Sequence, residues 1–117
     1  YGCGGVRAAL ESTKLGLIEN WLRHIQDVHQ KHRALVAQAT DDAHRLDLMC
    51  ELNVLEQANN VCETTVVQDA WERGQNLTVH GWVYGLHDGL LRDLGMSISG
   101  PEELAPKHQA RMLAYAD

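Results

Sequence analysis

"LTVHGWVYG", residues 77–85, alternates with a period of two. Leu77, Val79, Gly81 and Val83 fall on one face, and Thr78, His80, Trp82 and Tyr84 on the other. Successive side chains of an extended backbone point to opposite sides, so this spacing predicts a β-strand. One face is apolar and the other aromatic, the pattern of a strand covered on both sides within a larger α/β sheet. Gly85 and then Asp88-Gly89 mark a turn, and "LLRDLGMSI", residues 90–98, predicts a second, shorter strand suited to edge pairing. The expected fold class is α/β, in a chain that is itself mainly helical with one hairpin-like pair of strands.

The helices are read outward from this pair. Ile18, Trp21, Leu22, Ile25 and Val28 recur at spacings of three and four, one apolar face of a helix expected from Leu15 to Ala34. Before it, residues 1–5 read as a tight turn and Val6–Ser12 as a short helix. After it, Thr40 or Asp41 can cap a helix that runs from Ala43 to Arg73 without Pro or Gly, with Leu46, Met49, Cys50, Leu55, Val61, Val66 and Ala70 on its apolar face. That length exceeds the usual globular helix, and "ANNVCETTVV", residues 58–67, is where a bend is expected. Gly74 ends it. Ser99 and Glu102 have capping-box spacing, Pro101 suits a first turn, and a final helix is expected over Glu102–Ala114.

Two strands alone make a marginal sheet. The strands that would complete it are expected from residues before Tyr1 or from another chain, unless the helices cover the hairpin.

Composition narrows the function. The chain has 117 residues and a net charge of −6, enough for one modest core and the wrong sign for a nucleic-acid or anionic-membrane surface. No apolar run reaches the roughly 18–20 residues of a membrane span. No signal-peptide pattern is visible, and three irregularly spaced cysteines read as reduced thiols, so a cytoplasmic protein is expected.

Cys3 carries the sharpest chemistry. Glycines around it let the backbone turn tightly and a metal ion approach, and a helix N-terminus favours the thiolate that binds zinc. The alternative is a buried, unreactive thiol at a tight turn. Cys50 and Cys62, twelve positions apart on one helix, cannot share a metal and read as structural. His29 and His32 lie in the charged run "HQKHR" and read as a solvated face. His80 and His87, near Tyr84 and Asp88, could form a proton relay, but "HGWVYG" reads more simply as packing. A redox role for Cys3 lacks a partner at Cys-x-x-Cys spacing.

"YGCGGVRAAL", "GLIENWLRHIQDV", "MCELNVLEQANNV" and "LTVHGWVYGLHDGLLRDLG" occur in order from Tyr1 to Gly95, and together they resemble the C-terminal half of a bacterial β-class carbonic anhydrase. Beyond Gly95 the likeness is loose. The resemblance implies a single, partial carbonic-anhydrase domain over residues 1–117, with 101–117 a C-terminal helix. It implies zinc held by two cysteines and one histidine, and reversible hydration of carbon dioxide to bicarbonate. Cys3, followed by Gly4-Gly5-Val6, fits the second cysteine of the family's His-x-x-Cys pattern, and Gly4 would lie beside the metal. By the same resemblance Tyr84 fits a tyrosine of an inhibitory bicarbonate site. The other zinc ligands and the catalytic Asp–Arg pair have no counterpart here, so no catalytic residue is expected in this chain. A dimer or tetramer of like chains is implied. The rival expectation is a non-catalytic helical module that docks on a partner chain supplying the sheet.

Overall fold

The computed structural model describes residues 1–116. Asp117, part of the expected C-terminal segment, lies outside the described residues. The chain divides into two compact units, one of Tyr1–Asn53 with Tyr84–Leu90, the other of Val54–Val83 with Leu91–Asp117.

The first unit is helical. Its elements are α1 (Gly4–Glu11), α2 (Ile18–Lys31), α3 (Arg33–Ala37) and the first part of α4 (Asp42–Cys62). α1 begins two residues earlier than expected and ends at Ser12, whose left-handed backbone (φ 53°) stops it. Ala8 and Ala9 of α1 and Leu22 of α2 share a small core, with Ile25 packed against it. Burying one such leucine contributes about 1.5–3 kcal/mol.

The single helix expected from Leu15 to Ala34 is two helices. Gly16 (φ 84°) turns the chain before α2, and the Glu19 carboxylate accepts from the Leu15 amide at 3.0 Å. His32 (φ −113°, ψ 24°) leaves helical geometry and separates α3. The expected apolar face also narrows. Leu22 and Val28 are buried, but Ile18 and Trp21 are 53% and 72% exposed. Periodicity placed them on one stripe, but the core made with α1 takes Leu22 and Ile25 and leaves Ile18 and Trp21 uncovered. Asp41 caps α4, its Oδ1 accepting from the His44 amide at 2.7 Å.

In the second unit the long helix breaks at the expected stretch. α4 ends at Cys62 and α5 spans Thr65–Glu72. Thr64 makes the junction: its hydroxyl donates to the Val61 carbonyl at 2.7 Å and accepts from the Val67 amide at 3.5 Å. Gln68 donates to the Cys62 carbonyl at 2.6 Å, taking up a backbone acceptor at the end of α4. Val61 and Val66 flank the break and are exposed, against expectation, because the helical register does not continue through it. Gly74 (φ 77°) ends α5 with two bonds, Gly74 N–H to Trp71 and Gln75 N–H to Ala70, the paired closure that a left-handed glycine permits.

The strands are β1 (Val79–Tyr84) and β2 (Leu91–Ile98), paired in a two-stranded sheet. Thr78 lies opposite Ser99, His80 opposite Ser97, and Gly81 against Met96, an antiparallel register. A Cβ on Gly81 would stand 3.0 Å from that of Met96, so close pairing requires the glycine. Val83, Leu94, Met96 and Ile98 are buried. The other face of β1 is not: Trp82 is 46% exposed and stacks on His80, with ring centroids 4.7 Å apart. The expected burial of β1 on both faces is therefore met on one only, since these residues supply a single covering layer.

α6 (Pro101–Ala116) packs on β2. Lys107 donates to the Ser97 carbonyl at 2.6 Å, and His108 meets the buried Glu56 carboxylate at 3.0 Å. The expected cap shifts by one residue: Glu103, not Glu102, accepts from the Ser99 amide at 3.0 Å, because the helix begins at Pro101. Among the described residues no helix is long and apolar enough to cross a membrane.

Candidate metal centre

The turn that holds Cys3 is fixed from both sides. Upstream, the Tyr1 backbone nitrogen donates to the Tyr84 carbonyl, and the Tyr1 carbonyl accepts from the Leu86 amide at 3.2 Å. One residue bonding to both neighbours of another, here Gly85, is the pattern of parallel strands. The Tyr1 hydroxyl donates to the Glu51 carboxylate. Downstream, the Cys3 carbonyl accepts from the Arg7 amide at 3.2 Å, the first bond of α1. Cys3 is thus the N-cap residue, with extended backbone (φ −73°, ψ 118°).

Each glycine has a separate task. Gly2 adopts φ 82°, and a Cβ there would touch the Leu86 side chain at 3.4 Å. A Cβ on Gly4 would meet nothing within 4 Å. The Cβ position of Gly5 lies 3.7 Å from Cys3 Sγ and 3.4 Å from Leu22.

Cys3 is exposed, not buried as the alternative reading had it. Tyr84 is joined to this turn by its backbone, through Tyr1, while its side chain is 52% exposed. Its hydroxyl lies 3.6 Å from the Cβ position of Gly89, in the loop after β1. His80 bonds to Ser97 at 2.8 Å and stacks on Trp82 on the exposed face of β1, so of the packing expected for "HGWVYG" the close approach at Gly81 is met and the burial of Trp82 and Tyr84 is not.

Sequence spacing missed Cys50. Cys50 is buried and near enough to Cys3, the residue 47 positions earlier, for its thiol to be influenced by that residue. Burial pushes the Cys50 thiol up, and the Cys3 amide partly opposes this by favouring the thiolate. Burial likewise pushes the Cys62 thiol up, reinforced by Glu63. No sequence signal marks Cys50 as a neighbour of Cys3, because the contact depends on how α4 packs.

The comparisons with known proteins bear on what this turn is. The carbonic anhydrase family model matches residues 1–91, which include Cys3 and β1. This chain belongs to the β-class carbonic anhydrases. It is 45% identical to a carbonic anhydrase of Emericella nidulans over 100 residues, 86% of this chain and 44% of that protein. It superposes on the Coccomyxa β-carbonic anhydrase solved with acetazolamide at a TM-score of 0.82 and 32% identity, covering 100% of this chain and 55% of that one. A tetrameric β-carbonic anhydrase of Sordaria macrospora gives a TM-score of 0.73 at 27% identity over 83% of this chain and 49% of that one. The chain spans about half the length of the relatives it matches. The reading as a helical docking module finds no support in these likenesses.

Zinc in a protein site needs about three protein ligands besides an open position. Cys3, an exposed cysteine, is the donor the resemblance singles out. Among the described residues, no three His, Cys, Asp or Glu side chains come together to hold a metal ion. The donors among the described residues therefore do not by themselves make a zinc site.

Proposed function

We propose that this chain is a portion of a zinc-dependent carbonic anhydrase that interconverts carbon dioxide and bicarbonate, and that Cys3 is the zinc ligand it contributes. The observation that carries the reading is the match over residues 1–91, which includes an exposed Cys3 at the N-terminus of α1. The remaining ligands and the groups that act on the substrate come from residues outside this sequence. The 117-residue chain alone is accordingly inactive. The parallel pairing of Tyr1 with the Tyr84–Leu86 segment supports this reading, since it leads the chain before Cys3 along a strand direction. Like the Sordaria macrospora enzyme, the complete protein assembles from several copies. Tyr84 lines a bicarbonate site in that complete protein.

A chimera tests the assignment of Cys3. The part of the Emericella nidulans carbonic anhydrase that precedes its match is fused to Tyr1, and zinc is measured after gel filtration. Expected is about one zinc per chain, lost in Cys3→Ser while the chimera stays folded by circular dichroism. Full zinc occupancy in a folded Cys3→Ser chimera overturns the assignment.

A further inference from the structure

A cleft of about 250 Å³ lies where α1 meets α2, within the first unit. The left-handed backbone at Ser12 (φ 53°) and Gly16 (φ 84°) turns the chain between the two helices. Thr13 of that turn lines the cleft, together with Glu19, Asn20, Arg23 and Gln26 of α2. Leu22, buried against α1, is the apolar residue beneath them.

Two opposite charges face this cleft without meeting. Glu19 and Arg23 stand four positions apart on α2, the spacing at which a carboxylate and a guanidinium on a helix ordinarily pair. Arg7 and Glu11 do pair in this way on α1, at 3.3 Å. On α2 the Glu19 Oε1 accepts instead from the Leu15 amide at 3.0 Å, and its second oxygen is left open. Among the described residues the Arg23 side chain has no hydrogen bond or ion pair, and neither has the Asn20 amide. Gln26 donates to the Ala9 carbonyl at 3.4 Å, which leaves its side-chain oxygen as an acceptor.

We propose that this cleft binds a small zwitterion, a free α-amino acid with a polar side chain. The Arg23 guanidinium takes the carboxylate through two parallel N–H bonds, the geometry for which its fork is made. The ligand's ammonium, one carbon away, donates to the open oxygen of Glu19. Side chains four apart on a helix have Cβ atoms about 5–6 Å apart, which suits a ligand whose two charges are adjacent. A simple anion would meet Arg23 but be repelled by Glu19, and a simple cation the reverse, so charge selects a ligand that carries both. Asn20, Gln26 and the Thr13 hydroxyl offer donors and acceptors to a polar side chain. No residue of the Cys3 turn lines the cleft, and the proposal is independent of the zinc assignment.

The test is titration of the isotope-labelled 117-residue chain, shown to be folded by circular dichroism, with L-glutamine at low ionic strength, followed by amide chemical shifts. Expected are saturable shifts confined to the neighbourhood of Ser12–Gln26, with a Kd on the order of 1 mM. N-acetyl-L-glutamine lacks the ammonium and L-glutaminamide lacks the carboxylate, and each should bind at least roughly tenfold more weakly. Arg23→Gln and Glu19→Gln should weaken L-glutamine by a similar factor, and the second keeps the oxygen that accepts from Leu15. Should either variant not fold, the two derivatives on the wild-type chain decide. Saturable shifts that map elsewhere overturn the proposal, as does their absence. Equal affinity for N-acetyl-L-glutamine also overturns it, since that would be a carboxylate site indifferent to Glu19.

Discussion

The backbone nitrogen of Tyr1 donates to the carbonyl of Tyr84, tying the approach to Cys3 to the end of β1. This bond, with its companion from Leu86 to Tyr1, sets the direction in which the chain enters the glycine turn. α1 then starts at Gly4, and Cys3 is left at its N-cap with an exposed thiol. The relation joins Tyr84, in the stretch most legible as a strand, to the turn proposed to carry a zinc ligand.

Thiol reactivity should follow burial. Cys50 and Cys62 are buried with thiols pushed up by desolvation, whereas Cys3 is exposed. The thiolate is the reactive form, so brief treatment of the native chain with iodoacetamide near neutral pH should label Cys3 first. Cys50 and Cys62 should react only in denaturant. Peptide mass spectrometry checks this, and equal labelling of all three thiols in the native chain would contradict the packing of α4.

The break between α4 and α5 rests on Thr64, which both donates to Val61 and accepts from Val67. Thr64→Ala removes the cap of α5 and should cost about 1 kcal/mol. Urea denaturation followed by circular dichroism measures it, and an unchanged midpoint would show that Thr64 does not hold the junction.

Gly81 is required by the approach of Met96. Gly81→Val places a branched side chain where a Cβ already stands 3.0 Å from the Met96 Cβ, in a buried position. Overpacking of this kind costs about 1–3 kcal/mol. The expected result is a lower denaturation midpoint with the same helical signal. A midpoint equal to wild type would place Met96 elsewhere.

His29 gives stability a pH dependence. Partial burial, then Arg33 and Arg45, hold its imidazole below the ordinary value of 6.5. The unfolded chain therefore binds the proton more readily than the folded chain. The contribution of neutral His29 is present above pH 6.5 and is lost as pH falls through that value towards the folded pKa. His29→Gln should flatten this part of the stability curve, measured as denaturation midpoints above and below pH 6.5. An equally steep loss in the variant would assign the effect to other groups.

Local pattern was enough for much of the fold. Period-two alternation identified β1, and spacings of three and four identified the helices, because both follow from backbone geometry alone. The bend in the long helix was legible from "ANNVCETTVV", whose Thr64 became the cap. The exposure of Trp21 was not legible, since a helical stripe shows which residues align but not how much of the stripe a neighbour covers. At the candidate site, the resemblance singled out Cys3, and the glycines gave a physical reason for it. The nearness of Cys50 to Cys3 escaped because a relation across 47 residues leaves no trace in spacing. The register of Tyr1 against Tyr84 escaped for the same reason.

The most direct measurement is stopped-flow hydration of carbon dioxide by the isolated 117-residue chain supplied with zinc. One exposed thiol does not complete a zinc site, so the rate should equal that of buffer, in wild type and Cys3→Ser alike. Saturable hydration by the isolated chain, abolished by Cys3→Ser, would show that these residues build a complete active site and would contradict the assignment of the remaining ligands to residues outside this sequence.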